Sequence, residues 1–211
     1  MVAFLFMLVF LLGMLSMGLQ LVASRVLAPF FGSSIFVWAS LITTFLAAFS
    51  TGSFIGAAVS AISMRKQKRI VGGLMIACSA TLLFNSVASY AVCDWLDAQI
   101  ENLPLKLIAS CVLLYFVPVM SLSSITPVCI AHYDRLEKAA GRSAGLVNGI
   151  STFGNIIGVL IAAFALIPAF GIRVLLHVWW SASAAIQLLL WFVLFSSSRS
   201  SASPATPLSE R

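Results

Sequence analysis

The feature that most constrains this chain is a series of six apolar runs, each close to or above bilayer-spanning length, joined by short polar segments. A spanning helix needs about 20 predominantly apolar residues to cross a hydrocarbon core of about 30 Å. The runs cover approximately 2–27, 35–63, 70–92, 105–130, 145–167 and 174–195. Composition agrees. Of 211 residues, 61% are hydrophobic and only 9% charged, with a mean hydropathy of +1.09. A soluble domain carries about a quarter charged residues, so this chain has too few to furnish a polar shell. The expectation is an all-α integral membrane protein, with one six-helix transmembrane domain over 1–195. The Ser- and Pro-rich stretch 196–211 reads as a disordered cytoplasmic tail.

The first run contains, near its end, Leu21-Val22-Ala23-Ser24, which loosely resembles a secretory cleavage site. It is too long for a signal peptide and no cation precedes it, so it reads as a retained first helix.

The formal charge of +6 maps topology rather than nucleic-acid binding. There is no basic stripe interleaved with aromatics. With the N-terminus inside, Arg65, Lys66, Lys68, Arg69, Arg135, Lys138, Arg142, Arg199 and Arg211 fall on the cytoplasmic side. Only Arg25, Lys106 and Arg173 fall outside. Lys and Arg concentrate in cytoplasmic loops, so both termini are expected in the cytoplasm; the membrane is expected to be the plasma (inner) membrane. Cys78, Cys93, Cys111 and Cys129 form no CxxC pair and read as packing residues.

Polar groups inside lipid are costly, so the few present are the candidates for function. In the first run these are Gln20 and Arg25; Arg25 lies near the outer end, where it either snorkels to headgroups or faces inward. In the fifth, Gly145, Asn148, Gly149, Thr152, Asn155 and Gly158 recur at three- and four-residue steps, which puts them on one helix stripe. Gly145/Gly149 and Gly154/Gly158 are small-xxx-small pairs that admit a close neighbour, as are Gly52 and Gly56 in the second run. Asn148, Thr152 and Asn155 are then expected either to bond across helices or to line a polar cavity. The fourth run holds Pro118, Ser121, Ser123, Ser124, Thr126 and Pro127; Pro118 should bend the helix, its freed carbonyl met by Ser, Thr or water. Trp179 and Trp180 suit an interfacial aromatic belt. The acids are expected in loops or the tail. No GxSxG, HExxH, P-loop or intramembrane carboxylate pair is present, so neither an enzyme, a metal site nor a cofactor is expected.

One echo links Leu27-Ala-Pro29-Phe-Phe-Gly32 with Leu166-Ile-Pro168-Ala-Phe-Gly171, as L-x-P-x-F-G. It is either a structural repeat or a recurrence of Pro-Gly turns.

The stretch Gly18-Leu-Gln20-Leu-Val-Ala-Ser-Arg25-Val-Leu-Ala-Pro29-Phe-Phe-Gly32-Ser-Ser, followed by Val37-Trp38, resembles the opening of the fused major-facilitator/spermidine-synthase membrane proteins. Ala144-Gly145 through Ser151-Thr152-Phe153-Gly154-Asn155-Ile-Ile-Gly158 to Ile167-Pro168-Ala-Phe-Gly171 is similar to a later part of the same region. Together they span about half the chain. The resemblance implies a bundle like half of a major-facilitator protein. Full-length members carry a soluble aminopropyltransferase domain after the helices. The sequence ends at Arg211 without one, so the resemblance implies the membrane portion and not the enzyme. Gln20 stands where the family often has glutamate, which weakens polyamine binding by the first helix. The Asp-Arg-Gly signature of the major-facilitator loop between helices two and three is absent from Met64–Arg69.

Two functions follow as expectations. One is a non-catalytic membrane subunit that scaffolds or docks a partner protein or complex, such as a separate synthase-like protein. The other is a small-solute transporter-like unit, with polyamines among its candidate solutes, working as a dimer.

Overall fold

The computed structural model describes residues 2–196, and the tail beyond lies outside the described residues. Six long apolar helices form the molecule, and the described residues contain no strand. They are α1 (Val2–Phe31), α2 (Ile35–Ser60), α3 (Met64–Gln99), α4, α5 and α6 (Ile172–Ser196). α4 runs through Leu103–Cys111, a π-helical turn at Val112–Phe116, and Val117–Glu137. α5 runs through Ala140–Ile161, a second π-helical turn at Ala162–Leu166, and Ile167–Ala169.

Several helices outlast their apolar runs. The basic residues Arg65–Arg69 lie in the first turns of α3, and Asp94 and Asp97 lie in its last turns. Asp134 sits on α4. The acids therefore occupy helix ends as well as loops, a correction to the expectation. Hydropathy marks where hydrocarbon ends, whereas a helix continues as long as its backbone bonds are satisfied. Met, Arg, Lys and Gln are all good helix formers, so the start of α3 projects beyond its apolar stretch.

The dominant packing is not between chain neighbours. α1 lies along α5, α2 along α4, and α3 along α6. Glycine sets the first two pairs. A methyl group at Gly154 or Gly158 would collide with the carbonyl oxygens of Phe10 and Met14 on α1. A methyl at Gly52 or Gly56 would collide with those of Met120 and Ser124 on α4. Such small-xxx-small notches let two backbones approach and gain dispersion contact where lipid supplies no hydrophobic drive.

These two contacts are copies of one another. Exchanging the first three helices for the last three pairs Phe10 with Met120, Met14 with Ser124, Gly52 with Gly154 and Gly56 with Gly158. The glycine helices also share sequence, Ser50-Thr51-Gly52-Ser53-Phe54-Ile55-Gly56 against Thr152-Phe153-Gly154-Asn155-Ile156-Ile157-Gly158. α1 and α4 run in opposite senses, as do α2 and α5, so the two halves form an inverted repeat. This repeat replaces the L-x-P-x-F-G echo. The echo equates the end of α1 with that of α5, and the two turns differ: Gly32 takes φ +73 where Gly171 does not have a positive φ, and Phe31 is helical where Phe170 is extended.

Both π-helical turns stop just before a proline, Pro118 and Pro168. Proline lacks an N–H and crowds the carbonyl four residues back, and a locally wider turn relieves that crowding. At Pro118 the freed carbonyl belongs to Leu114, and the buried Asn85 side chain on α3 donates to it at 2.6 Å. The expected partner was a Ser, Thr or water; the partner is an asparagine from another helix. Cys78 on α3 donates to the Pro118 carbonyl at 3.6 Å and receives Gln187 of α6 at 3.2 Å, so the break in α4 is tied to two helices. All four cysteines are free and buried, in keeping with packing roles.

Trp179 is another correction. It is 4% exposed, its ring packs over Gly18, and its indole donates to the Leu15 carbonyl at 3.0 Å. It joins α6 to α1 within the core and is no part of an interfacial belt.

Two stability predictions follow. Asn85→Ala should lower stability by about 1–2 kcal/mol, because a buried carbonyl loses its donor. The loss should shrink in a Pro118→Ala background, where the α4 backbone can supply the bond; a double-mutant cycle in detergent unfolding reads this. Gly158→Ala should cost about 1–3 kcal/mol by forcing α1 and α5 apart, whereas Gly149→Ala, with open space around it, should leave the stability of the isolated chain unchanged.

Candidate functional site

The inverted repeat brings four helices, α1, α2, α4 and α5, around a cleft of about 160 Å³. Its floor comes from α1 and α4: the buried Leu12, Gly13 and Ser16 on one side, and the buried Leu122 and Ser123 with the half-buried Thr126 on the other. The repeat register pairs these as Leu12 with Leu122, Gly13 with Ser123 and Ser16 with Thr126. The walls come from α2 and α5, where Phe49 pairs with Ser151 and Ser53 with Asn155. The cleft therefore straddles the axis relating the two halves. Asn148 and Thr152 extend one wall and break the symmetry.

The cleft lies deep in the spans. Ser16 and Asn155 fall near the middles of α1 and α5. None of the described residues lining it is charged. The hydroxyl of Ser16 donates to Leu12 at 2.9 Å, and that of Ser123 to Met120 at 3.0 Å. With those protons used inside their own helices, the oxygens are left as acceptors. Asn155 Oδ1 is buried without a hydrogen-bond donor.

Of the five polar candidates read from sequence, the structure gathers Asn148, Thr152 and Asn155 into this cleft. Arg25 is exposed and lines a second cleft at the other end of α1, with Ser24, Ser33 and Trp38. Gln20 is half-buried and lines neither cleft. Of the glycines, Gly52, Gly56, Gly154 and Gly158 sit against neighbouring backbones. Gly145 and Gly149 do not: no atom approaches where their Cβ would be, so their packing role within the chain is corrected. They and Asn148 and Thr152 form an exposed edge of α5.

Sequence reading missed Ser16, Ser53 and Ser151 as lining residues and Asn85 and Gln187 as interhelical links. The shared (S/T)-x-G-(S/N)-x-I-G pattern of α2 and α5 was the available signal for Ser53, since it matches Ser53 to Asn155. Nothing local marks Asn85, whose role depends on a proline in the next helix.

Among the described residues, no cluster of His, Cys, Asp or Glu has the makings of a metal site. The arrangement can hold a small molecule by hydrogen bonds and shape.

The buried Asn85 and the half-buried Asn155 should answer oppositely to substitution. Asn85→Leu breaks a made bond, while Asn155→Leu replaces an amide whose oxygen has no donor. The latter should leave thermal stability within about 0.5 kcal/mol of the parent or raise it, as read by thermal unfolding in detergent.

Searches of family models, curated proteins and solved structures found no match to this chain.

Proposed function

We propose that this chain is a non-catalytic, multi-pass subunit of the inner membrane, both termini cytoplasmic, that scaffolds or docks a neighbouring membrane protein. The observation that carries this reading is the exposed edge of α5. Gly145, Asn148, Gly149 and Thr152 put amide and hydroxyl groups beside two open glycine notches on a membrane-spanning helix. Polar side chains facing lipid are unfavourable, and small-xxx-small edges with Asn and Thr are the surfaces that helices use to associate. The other two glycine pairs already hold helices within the chain, so the third has the same form with its place open. Cytoplasmic termini are supported by the distribution of Lys and Arg. The likeness to the membrane portion of the fused major-facilitator/spermidine-synthase proteins fits a helix bundle that serves an activity carried elsewhere.

The hydroxyl-lined cleft favours a second reading, a small-solute unit that works as a dimer. Polyamines suit it poorly, because none of the described lining residues is acidic.

Gly149→Phe should abolish association while leaving the fold intact, because nothing in the chain packs there. Particle mass after extraction at native expression level in mild detergent is the measurement. A chain that runs as a lone monomer, with or without the substitution, removes the assembly reading.

A further inference from the structure

We infer that the cleft between α1, α2, α4 and α5 is a binding site for a small, uncharged solute rich in hydrogen-bond donors, of the polyol or urea class. This rests on the small-solute reading and deepens it by naming its site and ligand chemistry; Asn148 and Thr152 belong both to this cleft and to the open edge of α5.

Size comes first. A volume of about 160 Å³ admits a molecule of a few heavy atoms. Charge comes next. No charged side chain among the described residues lines the cleft, and its floor sits near mid-span. An ion entering it loses hydration with no counter-charge to replace it, which disfavours ammonium groups and carboxylates alike. Hydrogen-bond sense completes the assignment. Ser16 and Ser123 have given their protons to their own helices, and Asn155 Oδ1 has no donor. Ser16, Ser123 and Asn155 thus present acceptors to the site, and a buried acceptor left unmet is unfavourable. A neutral molecule with several O–H or N–H groups meets them. The pairing of Ser16 with Thr126 and of Ser53 with Asn155 places comparable groups on both sides of the axis, so a short symmetric solute can reach both walls.

The four native cysteines are buried, which makes an added thiol a clean reporter. Ser53→Cys places one at the exposed rim. The full chain in lipid nanodiscs is treated with a small thiol reagent in the presence of glycerol, urea, putrescine or sucrose. Glycerol and urea should slow modification saturably, by about tenfold at ten times the dissociation constant. Putrescine and sucrose should leave the rate unchanged. Asn155→Leu or, independently, Ser16→Ala in the reporter background should move the glycerol curve to higher concentration, with an unaltered gel-filtration profile as the check on folding. Protection by putrescine at equal or lower concentration overturns the neutral-solute assignment and leaves a small-solute site standing. Absence of protection by any solute, equal protection by sucrose, or protection indifferent to both substitutions overturns the site and the small-solute reading with it.

Discussion

Everything in this bundle depends on the distance between two pairs of helix backbones. In water, helices are pressed together by the release of apolar surface; in lipid that drive is missing, and contact has to come from close packing. Gly52 and Gly56 let α2 reach the carbonyls of α4, and Gly154 and Gly158 let α5 reach those of α1. Because the two contacts are equivalent under the internal exchange, the four helices are arranged around a common axis. The remaining pair, α3 and α6, packs outside them, joined to each other through Gln187 and Cys78 and tied in through Trp179, Cys78 and Asn85. Larger side chains at these glycines would alter the position of every group in the cleft.

The polar groups fall into two kinds, distinguished by whether their bonds are met. Asn85 and Trp179 complete backbone carbonyls, one freed by a proline and one inside a regular helix, and in doing so hold separate helices together. Asn155, by contrast, keeps an unmet carbonyl oxygen beside open space. The first kind contributes order. The second leaves chemistry available.

Much of the architecture was legible in the sequence because hydrocarbon thickness acts on every span alike: six runs, all helical, were readable from hydropathy alone. The glycine pairs of α2 and α5 were legible as packing devices, since spacing reveals a shared face. Which pairs would be used was not. Gly145/Gly149 and Gly154/Gly158 are chemically alike, and only the course of α1 decides that one is covered and the other open. Trp179 was misplaced for a similar reason. Tryptophan near a helix end suits an interface, yet Gly18 on another helix opens a slot for its ring. Asn148, Thr152 and Asn155 share a stripe by periodicity, but their cleft needs Ser16, Ser53 and Ser123 from three other helices. Contacts of that kind are set by tertiary geometry and leave no local trace.

The latch at Pro118 bears on how the chain is assembled during synthesis. A helix broken by proline enters lipid with an exposed carbonyl, a burden that an isolated span must carry alone. Here the group that relieves it, Asn85, lies on α3 and is made before α4 emerges. The defect and its remedy thus arrive in the right temporal order. The α1–α5 contact has the opposite schedule, with the first helix waiting for the fifth. The N-terminal half of the nascent chain must therefore remain loosely joined until the second half is inserted, and the bundle closes late.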